Sequence, residues 1–303
     1  MNNKVVLIGC GNVGMAYAYA LVNQKVYIDK LVLIDINKEK AIGEAMDLNH
    51  CQAYSSSKIE ISVGDYDDCK NAKIVVIAAG ANSKPGETRM DLIYKNSKIF
   101  KDIVSQVMAS GFDGIFVVAT NPLDVMTSLT LKYSGLPKNR VIGSGTTLDT
   151  SRLRYILSQK VDVSPKNIEA YVIGEHGDSE FIPWSNVNIA YKKISDILSP
   201  EELEDIENEV RNSAYEIINR KGATAYGIGM CLVKITSAIL ENKNSILPVS
   251  SWDRENEICI STPAIVGSRG VKGKIFIPLN DEETSKLVNS IKVIKEAFSK
   301  IDD

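Results

Sequence analysis

The sequence predicts an α/β fold, a Rossmann-type doubly wound parallel sheet followed by an α+β substrate-binding catalytic domain, and three observations carry that reading. Short apolar runs alternate with helix-length segments through the first half, the runs are apolar on nearly every residue, and a glycine motif joins the first run to the first helix. The runs are Val5–Ile8, Leu31–Ile34, Ile59–Val63, Ile74–Ala78, Ile115–Val118 and Arg140–Ile142. Continuous rather than alternating apolarity marks strands covered on both faces, the condition of a parallel sheet. Between them, the stretch Met90–Met108 places Leu92, Ile93, Ile99, Phe100, Ile103, Val104 and Val107 at helical spacing. Alternation of this kind builds βαβ units.

The pattern changes after Gly143. A helix is predicted from Thr147 to Lys160, then a strand running into His176. Ser199-Pro200-Glu201-Glu202 starts a long helix: Ser199 as N-cap, Pro200 at the first helical position and Glu202 completing a capping box. Its buried stripe is Leu203, Ile206, Val210, Ala214 and Ile217. The runs Ile246–Val249, Ile258–Ile260 and Lys274–Pro278 are expected to form a separate antiparallel sheet, and Asp281–Ile301 a final helix. The expected domains are residues 1–144 and 145–303.

Composition narrows the classes. A chain of 303 residues, 24% charged and 44% hydrophobic, has the profile of a globular protein with two packed lobes. A net charge of −3 without a Lys/Arg-rich run argues against nucleic acid or an anionic membrane as partner. No stretch approaches transmembrane length, and the N-terminal apolar run is too short for a signal segment. Five scattered cysteines (Cys10, Cys51, Cys69, Cys231, Cys259), none in a C-x-x-C pair, fit neither a disulfide framework nor a zinc site. The expectation is a reduced, cytoplasmic protein with no metal.

Gly9-Cys10-Gly11-Asn12-Val13-Gly14 matches G-x-G-x-x-G between a strand and a helix, and Asp35 ends the next strand. Gly9 allows the tight turn, Gly11 lets backbone approach a pyrophosphate, and Gly14 lets helix pack on strand. The helix N-terminus offers free N–H groups to phosphates. The Asp35 carboxylate would accept from a ribose diol and repel a 2′-phosphate, which favours NAD over NADP. The first domain therefore reads as a Rossmann-type NAD-binding unit, with Gly9, Gly11, Asn12, Val13, Gly14 and Asp35 as cofactor residues.

The chain has two histidines. His50 falls near the C-terminus of the helical segment Lys38–Asn49, where the helix dipole favours a cation, and reads as a capping or interface residue. His176 sits in Gly174-Glu175-His176-Gly177-Asp178-Ser179-Glu180, after the apolar stretch Ala170–Ile173. Alone, this is as well read as a turn histidine. Beside a nicotinamide cofactor it is the side chain suited to exchange a proton near neutral pH.

Taken together, Ala79–Asn82 leading into Lys84–Arg89, Asn121-Pro122-Leu123-Asp124-Val125, Thr147–Arg152, Gly174–Glu180 and Lys221–Thr224 resemble the L-lactate/malate dehydrogenase family, in the family's order and along the whole chain. Glu180 and Trp184-Ser185 look like the lactate branch of bacterial type. The resemblance implies NAD-dependent hydride transfer between NADH and a small 2-oxo acid. In it, His176 is proton donor and acceptor, Asp149 is the carboxylate behind the imidazole, and Arg152 is the partner of the substrate carboxylate. It further implies that Arg89, on a lid over Asn82–Thr88, polarises the carbonyl, and that Asn121 bonds near the reacting oxygen. Thr224 lines the substrate pocket and Ile228 the nicotinamide face. It also implies a homotetramer or dimer. Arg152 three residues after Asp149 puts both on one helix face, and a guanidinium can hold a carboxylate through two bonds.

Two positions depart from the family pattern. Ser83 replaces the Gln usual in lactate and the Arg usual in malate dehydrogenases. Without Arg, a second substrate carboxylate would be buried unpaired, which argues against oxaloacetate, while a small serine leaves room for bulkier 2-oxo acids. Arg154 matches an arginine that many bacterial relatives use for fructose 1,6-bisphosphate, but Glu169 replaces the accompanying histidine and would repel phosphate. An NAD-dependent glycosidase would need Cys and His metal ligands, for which this chain has no suitable cluster, and a non-catalytic NAD sensor would not need Arg89, Asp149, Arg152 and His176 together.

Overall fold

The computed structural model describes residues 3–81 and 89–301, Arg89 by its backbone alone. The expected lid, with Ser83 and the Arg89 side chain, lies outside the described residues.

The first half is built as β1 (Lys4–Ile8), α1 (Asn12–Asn23), β2 (Lys30–Ile34), α2 (Lys38–His50), β3 (Glu60–Val63), β4 (Ile74–Ile77), α3 (Arg89–Ala109), β5 (Ile115–Val118), α4 (Leu123–Ser134) and β6 (Val141–Gly143). Its six strands are parallel and lie in the order β3-β2-β1-β4-β5-β6. The two-residue period of a strand explains the unbroken apolar runs. Val5 and Leu7 enter the core beneath α1 and α2, whereas Val6 and Ile8 enter the one beneath α3 and α4; Ile74 and Val76 against Val75 and Ile77 divide the same way. Strand order reverses between β1 and β4, and the crevice at such a reversal is where open α/β sheets bind ligands.

The second half continues with α5 (Thr147–Val161), β7 (Ile168–Glu169), β8 (Asn188–Ile189), β9 (Lys192–Lys193), α6 (Pro200–Lys221), α7 (Tyr226–Leu240), β10 (Ser245–Asp253), β11 (Ile258–Gly267), β12 (Gly270–Lys274) and α8 (Asp281–Ser299). The capping box of α6 forms as expected: the Ser199 hydroxyl accepts from the Glu202 N–H at 3.2 Å and the Glu202 carboxylate accepts from the Ser199 N–H at 2.8 Å. Leu203, Ile206 and Val210 are buried, but Ala214 and Ile217 are only half-covered, so the stripe is buried along the N-terminal half of the helix alone. Asn280 and Glu283 form a second capping box at the start of α8. The expected strand into His176 is shorter than predicted. β7 ends at Glu169, and the chain beyond it is held by isolated bridges, Ile173 to Phe181 and Gly174 to Ser261.

The expectation of a separate sheet for β10–β12 is overturned. These strands are antiparallel to one another, but β10 pairs with β6 at Ser250 and Gly143 and extends the first sheet to nine strands. Gly143 explains the junction, since a Cβ there would lie 2.9 Å from the Ser250 Cβ. The last strand also falls earlier than expected, at Gly270–Lys274, after a turn in which Gly270 takes φ +88°. The three-stranded β7-β8-β9 sheet is the one that stands apart.

Helix α7 packs on α1 at backbone distance, and Gly229 permits it: a Cβ there would lie 2.7 Å from the Ala16 carbonyl carbon and 2.9 Å from the Tyr17 nitrogen. Gly43 in α2 faces open space. Gly229→Ala is therefore expected to lower the urea midpoint by an overpacking cost of about 1–3 kcal/mol. The control Gly43→Ala should be neutral or stabilising by up to about 1 kcal/mol. Equal effects of the two substitutions on the midpoint would refute the close-packing account.

Candidate active site

The glycine motif lies at the C-terminal end of β1, opposite β4. Gly9 takes φ +103°, and a Cβ on it would meet the Ala79 nitrogen at 2.6 Å; a Cβ on Gly14 would fall 2.0 Å from the Gly9 carbonyl oxygen. Gly11 differs, with nothing within 4 Å of where its Cβ would be. Two glycines thus close the turn while the middle one leaves a gap that a pyrophosphate can enter. Gly11 is the N-cap of α1 and provides no side chain for the first turn, so the N–H groups around Asn12, Val13 and Gly14 remain available to an anion. Asp35 accepts from the Cys10 N–H at 2.7 Å and the Asn37 N–H at 2.8 Å, one on each oxygen, and each oxygen keeps a lone pair for a ribose hydroxyl. A cleft of about 580 Å³ runs from Gly9, Gly11 and Asp35 past Ala79 to Ile99 and Ile103 of α3. An open glycine, free helix N–H groups, a carboxylate and an apolar slot are the parts a dinucleotide requires, so these residues fit NAD.

The catalytic candidates meet where α5 faces the loop after β7. Asp149 and Arg152, one turn apart on α5, share a face as expected, and the Arg152 Nη1 donates to Asp149 Oδ1 at 2.5 Å. The other Asp149 oxygen lies 2.7 Å from His176 Nδ1. Asp149 is only 2% exposed, while the imidazole keeps 23% of its surface open. With Nδ1 turned to Asp149, Nε2 is the nitrogen left to meet substrate. Burial works against the imidazolium, but the Asp149 charge and hydrogen bond outweigh it and lift His176 to about 9. Burial likewise pushes Asp149 upward, and the charges of His176 and Arg152 hold it below the usual carboxylate range. Among the described residues Arg152 Nε is buried without a partner, so part of the guanidinium remains for a further acceptor.

Local hydrogen bonds fix this geometry. The Thr146 hydroxyl donates to the Val172 carbonyl at 2.5 Å and Thr150 accepts from the Val172 N–H at 2.9 Å, tying the first turn of α5 to the approach to His176. Gly174, at φ +100°, exchanges two backbone bonds with Ser261 of β11.

Three polar residues at this site were given no role by sequence reasoning, although Asp124 and Glu180 fall in the motifs that carry the resemblance. Asp124 of α4, 2% exposed, accepts from the His176 backbone N–H at 2.8 Å and, through its other oxygen, from the Ser250 hydroxyl at 2.6 Å. Burial raises its carboxyl to about 6, with those hydrogen bonds opposing the rise. Asn96 of α3, wholly buried, accepts from the Ala81 N–H and donates to the Asn121 carbonyl, both at 2.8 Å, and so joins the ends of β4 and β5. Glu180 is buried with its carboxylate 4.0 Å from His176 Nδ1, and burial together with the Asp149 charge raises it well above the usual range. An acid set among Leu123, Val125 and Met126 was a readable signal for Asp124; Asn96 in a helix stripe gave none.

Of the other candidates, Asn121 stands exposed at the end of β5, Thr224 is half-buried just before α7, and Ile228 is buried in a cluster that also holds Cys10, with Val13 and Ala119 packed on it. Arg154 is turned to the Ala170 carbonyl at 3.1 Å and lies over the Tyr171 ring, while Glu169 is exposed. His50 ends α2, exposed. All five cysteines are free thiols, and among the described residues no helix is long and apolar enough to cross a membrane.

Comparison with known proteins agrees with this layout. Residues 3–143 match the lactate/malate dehydrogenase NAD binding domain, and residues 146–303 the lactate/malate dehydrogenase alpha/beta C-terminal domain. An L-lactate dehydrogenase of Bacillus pumilus is 52% identical over 98% of this chain and 97% of its own. Among solved structures, a lactate dehydrogenase from a Medee basin deep-sea metagenome library superposes with a TM-score of 0.97 at 49% identity, covering 100% of this chain and 99% of that one. A minor L-lactate dehydrogenase from Enterococcus mundtii, in its ligands-bound form, gives 0.97 at 43% identity over 99% and 98%. Matched in both halves and about half-identical to such relatives along nearly its full length, the chain belongs to the lactate/malate dehydrogenase family, enzymes that work with NAD.

Proposed function

We propose that the chain interconverts pyruvate and L-lactate, with residues 1–144 holding NAD and residues 145–303 supplying most of the substrate site. The observation that carries this reading is the buried Asp149 carboxylate shared between His176 and Arg152: one neighbour suits a proton, the other a carboxylate. NAD, when bound, supplies hydride chemistry at its nicotinamide. For reduction, His176 enters as the imidazolium and gives the Nε2 proton to the developing alkoxide, while Asp149 holds the ring and stabilises its charge. In the reverse direction the neutral imidazole takes the hydroxyl proton. Arg152 orients the substrate carboxylate, which fixes the carbonyl relative to Nε2.

The remaining assignments rest on the family pattern. Arg89 polarises the carbonyl, Asn121 bonds near the same oxygen, and Thr224 and Ile228 border the pocket and the nicotinamide. Gly9, Gly11, Asn12, Val13, Gly14 and Asp35 hold the cofactor. Ser83 gives the pocket room beyond pyruvate and no cation for a second carboxylate. We place the enzyme in the cytoplasm as a homotetramer or dimer, serving glycolysis and fermentation by returning NADH to NAD. It acts without a metal, nucleic acid or membrane.

A panel of 2-oxo acids tests the assignment. Pyruvate is expected to be reduced well, 2-oxoisocaproate detectably and oxaloacetate poorly, and adding fructose 1,6-bisphosphate should leave the pyruvate KM unchanged. His176→Asn should lose about 10²–10⁴ in kcat while still binding NADH. A preference for oxaloacetate, or full turnover by the variant, would sink the reading.

Direction of reaction should also reverse the pH dependence. His176 titrates at about 9, above its ordinary value, so the imidazolium is present below that pH and lost as pH rises through it. Pyruvate reduction (kcat/KM) is therefore expected to be flat at neutral pH and to fall above about pH 9, and lactate oxidation to rise over the same interval. Parallel profiles for the two directions would contradict His176 as the exchanged proton's carrier.

A further inference from the structure

We propose that Glu180 is a second protonated group of the substrate site, so that binding a 2-oxo acid requires two protons on the enzyme rather than the one on His176. This rests on the reading of His176 and Arg152 given above. The ligand atoms of Asp149, His176 and Glu180 all lie within 4.8 Å of one another, and Glu180 is 7% exposed. Burial and the neighbouring Asp149 charge raise the Glu180 carboxyl well above the usual range, because two like charges in one buried site resist joint ionisation. Asp149 already receives Arg152 on one oxygen and His176 on the other, so the proton belongs on Glu180.

Among the described residues, the neighbouring charges leave Glu180 no other cation. Asp149 and Arg152 face it from α5 and His176 from its own loop. Beyond them, a cleft of about 380 Å³ reaches Glu180 from the side of α6 and α8 and is lined by Asp178, Glu207, Arg211, Glu282 and Lys286. There Arg211 pairs with Glu207, Lys286 with both Glu282 and Glu207, and Asp178 accepts from Tyr215. With Glu180 neutral, Asp149, Arg152 and His176 together carry one net positive charge, which a monocarboxylate substrate cancels. With Glu180 ionised, these four groups by themselves would be neutral when free and carry one negative charge when occupied, so a second buried carboxylate opposes substrate binding. Because the groups are coupled, the two protons leave as steps of the cluster rather than of either residue.

The test is the alkaline limb of kcat/KM for pyruvate in the wild type and in Glu180→Gln, which keeps the shape but cannot ionise. The wild type is expected to approach a fall of about 100-fold per pH unit and the variant about 10-fold. A limb of about 10-fold per unit in both would overturn the proposal. A second measurement needs no variant: proton uptake as the enzyme–NADH complex binds oxamate, a non-reducible pyruvate isostere, in weak buffer. Uptake should exceed one proton per site at some point between about pH 7 and 10, and a ceiling of one would overturn the proposal. If the wild type reduces another 2-oxo acid but not pyruvate, the substrate assignment falls while the same two readings, made with that acid, still decide the role of Glu180.

Discussion

A carboxylate buried as deeply as Asp149 stays ionised only if its environment answers its charge, and the catalytic end of this molecule is arranged around that requirement. Taking an ionised group out of water costs more than one hydrogen bond returns. Here each oxygen has its own cation, Arg152 at 2.5 Å and His176 at 2.7 Å. The arrangement acts in both directions: Asp149 needs the imidazolium, and the imidazolium is favoured by Asp149 enough to overcome its own desolvation. A histidine that would otherwise be mostly neutral at pH 7 is thereby kept charged until a substrate takes its proton.

Such a pair is useful only if neither member can move away. Asp149 is fixed by its place in the first turn of α5, where Leu148 and Leu153 are buried around it. His176 lies on a loop and needs holding from outside. Thr146 and Thr150 hold the chain four residues before it, Ser261 holds Gly174, and Asp124 holds the backbone nitrogen of His176 itself. These anchors come from α5, β11 and α4, elements far apart in sequence, so loop and helix are located by the fold as a whole.

The same distribution explains what was legible in the sequence. The parallel sheet could be read because each strand is covered on both faces and shows it as an unbroken apolar run; the capping boxes of α6 and α8 are local and leave local signatures, the first of them read in advance. The glycine motif, Asp149, Arg152 and His176 were legible because their chemistry needs particular residue types at particular spacings. Helix α7 was not singled out, since a helix buried on most sides loses the amphipathic period that would reveal it. The junction between β6 and β10 was missed because it is a single pair, Gly143 with Ser250, and its cause is the absence of a side chain. Asp124 and Asn96 were missed for a related reason, since each bonds residues distant in sequence, and the role of Glu180 was missed because only the fold brings it against Asp149.

That junction has a mechanical meaning which a division of the chain near residue 144 conceals. Ser250 sits on the strand that extends the parallel sheet, and its hydroxyl donates to Asp124, on a helix of the first half. Asp124 in turn holds His176, in the second half. A continuous path of one strand pair and two hydrogen bonds therefore runs from the end of β6 to the loop that carries the imidazole. The glycine motif and β6 belong to one sheet, so the surface offered to the cofactor and the ring offered to the substrate are held in a common frame. Hydride and proton must arrive at adjacent atoms of one carbonyl, and effective alignment of that kind tolerates little relative motion. A hinge between the two halves would work against that alignment, and the pairing of β10 with β6 removes the place where one would form.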